Sequence, residues 1–155
     1  MIGFGYDSHK LVSDGRIIIG GIEIESEFGV KAHSDGDVLA HALIDALLGA
    51  AGMDDIGTHF PNTDDKYKNA DSIELLKIII SKLRDDYLIV NIDASIILEK
   101  PKLGSFKKDI RTKIAEVCSL EEQRVSIKAK TNEKMGFTGR SEGIVCYCVC
   151  QIEPK

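Results

Sequence analysis

Apolar residues recur along this chain at two spacings, and the switches between them mark out its elements. Met1 to Tyr6 opens as a short β-rich stretch, and Ser13-Asp14-Gly15 supplies residue types that favour a turn. Arg16 to Ile19 and Ile22 to Ile24 are two more short β-rich runs. Gly20-Gly21 between them suits a two-residue hairpin turn. Glu27 to Asp35 reads as loop, closing on Ser34-Asp35-Gly36-Asp37. The period then changes. Leu39, Leu43 and Leu47, with Ala42, Ala46 and Ala50, recur at helical steps as a buried stripe and predict a helix from about Asp37 to Gly49.

Asp54 to Asn69 is polar and carries Gly57, Pro61 and Asn62, so it reads as an irregular loop of a length that usually serves function. A second helix is predicted over about Ser72 to Asp85, with Asp71 and Glu74 as a capping box and Ile73, Leu76, Ile80 and Leu83 as its core face. Val90 to Leu98 alternates like a half-buried strand. A third helix runs from about Phe106 to Cys118, with Phe106, Ile110, Ile114 and Val117 on one side, and Val125 to Lys130 and Ile144 to Ile152 complete the strands. The order predicts an α+β fold, a single mixed β-sheet with helices packed on one face. The other sheet face must then be wet or packed on another subunit.

Length and charge narrow the classes. The 155 residues suit one domain over 1–155, able to bury on the order of two-thirds of its unfolded surface. Twenty Lys+Arg against 25 Asp+Glu give a net charge of −5, which argues against nucleic acid as a partner. Nothing approaches the ~20 apolar residues of a membrane span, and the chain opens into MIGFGYDSHK rather than a basic-then-apolar leader. Cys118, Cys146, Cys148 and Cys150 lack the spacing of a disulfide scaffold, so a reducing, cytoplasmic setting is expected. The alternating cysteines of the last strand are too far apart to enclose one ion and read as small hydrophobes.

Four features could carry chemistry. In extended backbone Asp7 and His9 point to one side, and His41 lies in the Ala/Leu helix with Asp37 and Asp45 at four-residue steps. Asp, His and His suit zinc with one position open, and Asp37 or Asp45 could hold the second imidazole nitrogen. The same residues also read as a strand end and a solvated helix stripe. His33 to Asp37 is either a loop in which Ser34 or Asp35 caps the helix, or a phosphate-docking helix start. Lys128 to Gly143 places Thr131, Glu133, Arg140 and several glycines directly after a strand, where a glycine-rich turn could meet phosphate and Glu133 a hard cation. His59 falls in the polar loop with no partner in view and is expected to be solvent-exposed.

Taken in order, Gly5-Tyr6-Asp7-Ser8-His9, Ile18-Ile19-Gly20-Gly21, Ala32-His33-Ser34-Asp35-Gly36-Asp37-Val38, Asp55-Ile56-Gly57, Phe60-Pro61-Asn62-Thr63-Asp64 and Gly136-Phe137-Thr138-Gly139-Arg140 closely resemble the 2-C-methyl-D-erythritol 2,4-cyclodiphosphate synthases of non-mevalonate isoprenoid synthesis. The likeness spans essentially the whole chain. It implies that the 2-phosphate of 4-diphosphocytidyl-2-C-methyl-D-erythritol 2-phosphate attacks the β-phosphorus and expels CMP. It also implies zinc on the β-phosphate, magnesium or manganese between the α- and β-phosphates, and a homotrimer with sites at subunit boundaries, for which the uncovered sheet face leaves room.

The resemblance assigns roles residue by residue. Asp7, His9 and His41 would hold zinc, and Glu133 the second cation. His33 and Thr131 match positions that steady the phosphates in the transition state. Ser8, Ser34, Asp55, Ile56, Gly57, Phe60, Pro61, Asn62, Thr63 and Asp64 would line the erythritol phosphate pocket. Main-chain groups of Leu98, Glu99, Lys100, Pro101, Lys102, Leu103 and Gly104, and of Ala129, Lys130, Thr131, Asn132 and Glu133, would grip the cytosine. Phe137 and Arg140 match substrate-region positions near the trimer axis. Asn62 stands where the family commonly has Asp, and Lys130 and Asn132 where some members have Thr. Two other readings share the Asp7, His9 and His41 ligands: a zinc phosphohydrolase, and a non-catalytic trimeric module binding nucleotides or isoprenoid diphosphates.

Overall fold

Strand β1 (Ile2–Val12) and helix α1 (Val38–Ala51) approach so closely that no side chain fits between them at two points. A Cβ on Gly3 would sit 1.8 Å from the Ala46 carbonyl oxygen, and one on Gly5 would sit 1.9 Å from that of Ala42. Two strand residues advance about 6.6 Å and four helix residues about 6.0 Å, so Gly3 and Gly5 fall in step with Ala46 and Ala42. One step further on, Asp7 and His9 leave the same face of β1 opposite the first turns of α1, where His41 lies. Strand β7 (Gly143–Pro154) continues the small-residue seam, pairing Gly3 with Cys150, Gly5 with Cys148 and Asp7 with Cys146. All three cysteines are buried and unpaired, as small hydrophobes.

The computed structural model describes residues 1–61, 63–67 and 69–155, so the expectation for Asn62 lies outside the described residues. The remaining elements are β2 (Ile17–Ile19), β3 (Ile22–Ile24), β4 (Gly29–Lys31), α2 (Ile56–His59), α3 (Ser72–Leu83), β5 (Tyr87–Ile97), α4 (Lys107–Cys118), β6 (Val125–Lys130) and α5 (Gly136–Gly139). A five-stranded sheet runs β4-β1-β7-β5-β6, antiparallel except for the parallel β5–β6 pair. Among the described residues no helix is long and apolar enough to cross a membrane.

The α+β class is thus present, but the expected single sheet is not. β2 and β3 form a separate two-stranded hairpin. Gly20 and Gly21 both take positive φ (59° and 75°) at its turn, and their N–H groups donate to Asp37 at 2.8 and 2.7 Å. Asp37, rather than Ser34 or Asp35, caps α1, accepting from the Leu39 and Ala40 N–H groups. Burial pushes its carboxyl up against these four donors.

Other corrections have pairing or packing as their cause. β1 extends past Tyr6 to Val12 because β7 pairs it as far as Lys10 and β4 from Lys10 onward. β4 itself lies inside the span read as loop, and the Asp54–Asn69 span holds α2 and a 3₁₀ turn at Asp65–Tyr67. The Asp71 side chain caps α3, but Glu74 turns to Lys77 at 2.6 Å instead of completing a capping box. In α3, Ile79 is fully buried where Ile80 was expected. Helix α1 is buried almost all round, not along one stripe, because β1 and β7 cover one side while α3 and β2 pack on it as well.

The outer sheet face carries no such cover. Ile2, Phe4 and Tyr6 of β1 and Tyr147 and Val149 of β7 are all more than two-fifths exposed, and Tyr147 lies against both Phe4 and Tyr6.

Candidate active site

Asp7 and His9 leave β1 two residues apart, and His41 leaves the first turn of α1 where the Gly/Ala seam holds the two backbones together. Asp7 Oδ2 lies 2.9 Å from His9 Nε2 and 3.0 Å from His41 Nδ1, and the two ring nitrogens are 3.2 Å apart. Four ligands at about 2.0–2.1 Å around a tetrahedral ion are separated by about 3.3 Å. The triangle is therefore close to one face of such a shell, and one carboxylate with two imidazoles suits zinc or a similar divalent ion. Burial raises the Asp7 carboxyl, but hydrogen bonds with His41 and His9 outweigh it and hold it at about 2. Burial lowers His41, and the Asp7 hydrogen bond and charge reverse that, leaving it raised.

Neither aspartate expected behind His41 is there. Asp37 is spent on the α1 cap and the β2–β3 turn, and Asp45 accepts the Ile56 N–H at 2.7 Å, fastening α2 to α1. Burial pushes the Asp45 carboxyl up. The far nitrogen of His41, Nε2, instead meets Ser72 Oγ at 2.9 Å and Ser34 Oγ at 3.2 Å. Ser72 was not singled out in the sequence. As the first residue of α3, it is hidden there behind an ordinary capping aspartate.

The triad opens on a cavity of about 310 Å³ shared with His33, Ser34, Ile56, Gly57 and Phe60. Ala32, Tyr67 and Leu75 also line it, none foreseen, although Tyr67 packs edge-on against Phe60 at 5.2 Å. His33 lines the cavity, and its Nε2 is buried and meets no hydrogen-bond partner among the described residues. Asp55, Pro61, Thr63 and Asp64 do not line the cavity. Asp55 caps α2 through the Thr58 N–H, which lowers its carboxyl, and Asp64 accepts the Lys66 N–H at 3.0 Å. His59 is half-buried, not free: Nε2 lies 2.7 Å from the Met53 carbonyl and Nδ1 3.1 Å from Lys82 Nζ.

A second group gathers elsewhere. Parallel pairing of β5 with β6 carries Leu98 beside Lys130, whose carbonyl accepts the Leu98 N–H at 3.0 Å. The Asn132 N–H donates to Glu99 at 3.2 Å, joining the Leu98–Gly104 and Ala129–Glu133 segments into one strip. Glu133 is exposed with positive φ (51°), and Thr131 Oγ1 donates to it at 3.2 Å. Neither residue lines the triad cavity. Phe137 borders a separate hollow with Ser8 and His9, and Arg140 is exposed and forked onto Glu142 at 2.9 and 3.1 Å. Buried Cys118 and Cys150 are pushed up to about 12 and 11, which makes them inert as nucleophiles.

Comparison with known proteins follows the same residues. The YgbB family pattern matches residues 1–153. The 2-C-methyl-D-erythritol 2,4-cyclodiphosphate synthase of Symbiobacterium thermophilum is 50% identical over 153 residues, 98% of each chain. The bifunctional IspDF of Campylobacter jejuni superposes with a TM-score of 0.95 at 43% identity, covering 99% of this chain and 42% of that longer one. Plasmodium falciparum IspF in complex with CDP matches at a TM-score of 0.87 and 35% identity, over 99% of this chain and 96% of that one.

Proposed function

The chain belongs to the YgbB family, and on that premise we propose that it converts 4-diphosphocytidyl-2-C-methyl-D-erythritol 2-phosphate to 2-C-methyl-D-erythritol 2,4-cyclodiphosphate and CMP. One observation carries the reading: three metal-type donors converge on a cavity lined as well by His33, whose buried Nε2 has no hydrogen-bond partner among the described residues. The substrate's own 2-phosphate is the nucleophile. A new P–O bond forms at the β-phosphorus, and the bond to the α-phosphate breaks with CMP as leaving group. No serine or cysteine is needed, in keeping with the inert thiols.

Asp7, His9 and His41 would hold zinc, and Glu133 a magnesium or manganese ion shared with the substrate. Bound there, the cations supply Lewis-acid polarisation and neutralise diphosphate charge. His33 donates to a phosphate oxygen from inside the cavity, and Thr131 steadies a second. Ser34, Ile56, Gly57 and Phe60 shape the erythritol end and exclude water from the diphosphate. The Leu98–Gly104 and Ala129–Glu133 strip takes the cytosine through main-chain groups. That strip and the triad cavity are separate within one chain, and the bare aromatic face of β1 and β7 is available for self-association. Three copies meeting through this face form a homotrimer in which one subunit's strip serves its neighbour's cavity.

The deciding test is phosphorus NMR of the product beside a CMP-release assay, with the purified chain's mass in solution measured by light scattering. A cyclic diphosphate and a trimer are expected. An open-chain phosphate product would favour a zinc phosphohydrolase. Unchanged nucleotide binding with no turnover in the wild type would favour a binding module.

A further inference from the structure

We propose that Ser72, backed by Asp35, is the positioning residue that turns the metal-facing nitrogen of His41 toward the ion; this rests on the metal reading above. The argument is one of proton direction. Asp35 accepts three hydrogen bonds: from the Asp37 N–H at 3.2 Å, the Ser72 N–H at 3.0 Å, and the Ser72 hydroxyl. A carboxylate only accepts, so the single Ser72 proton goes to Asp35. Ser72 Oγ then presents a lone pair to His41 Nε2 at 2.9 Å, and that nitrogen carries the ring proton. Nδ1 is left with its lone pair directed at Asp7 Oδ2 and His9 Nε2, the centre of the triad. Ser34 Oγ, at 3.2 Å, is a longer second acceptor for the same proton.

The Ser72 hydroxyl is not the cap of its helix. Its side chain is fully buried, and α3 is already capped by Asp71 through the Ile73 N–H. Without it, the strongest acceptor left beside the ring is Asp7, on the Nδ1 side. A proton drawn there would block the nitrogen needed for the ion. Hydrogen-bond partners of this kind behind a metal-ligating histidine change metal affinity by about 10–100-fold.

The test compares metal-stripped wild type, Ser72→Ala and Asp35→Asn for zinc affinity against a chromogenic chelator. NMR then observes the His41 Nε2–H resonance of the zinc-loaded proteins. We expect Ser72→Ala to bind zinc about 10–100-fold more weakly, with that resonance broadened by water exchange. Asp35→Asn, which leaves one oxygen to serve three donors, shifts both readouts the same way and decides the matter if Ser72→Ala does not fold. Wild-type affinity in the variants overturns this inference alone. Weaker binding with an unmoved resonance makes Ser72 a packing residue and also overturns it. A wild-type chain that takes up no zinc overturns the metal reading and this inference together.

Discussion

Two parts of this molecule carry the candidate chemistry, and they are built in opposite ways. The Asp7–His9–His41 corner is assembled within one chain, on a strand and a helix in backbone contact, with all three side chains half-buried. The strip made by Leu98–Gly104 and Ala129–Glu133 lies at the ends of β5 and β6, with Glu133 exposed and the two segments tied by the Asn132–Glu99 hydrogen bond. A seam with no room for a side chain at Gly3 or Gly5 holds the first. In the proposed trimer a neighbouring molecule completes the second. The proposed function accordingly places ion binding within the subunit and substrate binding between subunits.

The sharpest way to break this contrast is His41→Ala, which removes one of three donors. Turnover should fall on the order of 10³-fold, with zinc lost by elemental analysis; retained turnover would remove the corner from the chemistry. Gly5→Ala attacks the seam instead. Its Cβ would lie 1.9 Å from the Ala42 oxygen, so we expect a loss of about 1–3 kcal/mol or more in thermal unfolding, together with weaker zinc binding. Gly104→Ala, in the strip, meets nothing within 4 Å and should change stability by no more than about 0.5 kcal/mol. Equal effects at both glycines would mean the two regions are not built differently.

Glu133→Gln tests the strip. It should keep zinc while activity drops on the order of 10²-fold, and zinc loss in that variant would contradict the separation of the two cation sites. The smallest effect concerns acid. In the metal-free chain Asp7 is held at about 2, below its ordinary 3.8, so its carboxylate favours folding above pH 3.8. That contribution disappears as pH falls through about 2. It amounts to on the order of 1–2 kcal/mol, given the partial exposure of the group. Urea midpoints against pH should show a shallower acid decline in Asp7→Asn.

Much of this was legible in the sequence, unevenly. The Gly20-Gly21 hairpin, the β6 boundaries, the buried character of Cys146, Cys148 and Cys150, and the convergence of Asp7, His9 and His41 all appear in the structure as read. Those readings rest on local rules: positive φ at glycine, strand alternation, and matching donor types. β4 escaped because three residues, Gly29–Lys31, become a strand only through β1's hydrogen bonds. Ile79 and Ile80 exchange roles in α3 because its core face is set by where α1 and α4 lie, not by its own period. Asp37 and Asp45, at helical steps from His41, were natural partners on a helical wheel. The fold sends one to the β2–β3 turn and the other to α2.

Sequence by itself determined the periods, the turns and the inventory of ligand types, because each depends on residues within a turn or two of one another. Tertiary structure alone decided that Ser72, 31 residues from His41, stands behind its ring, and that Thr131 and Glu133 lie apart from the triad. Such pairings depend on how strands and helices stack. That stacking is governed by the volume left between backbones, here almost none at Gly3 and Gly5, which no local pattern of residues records.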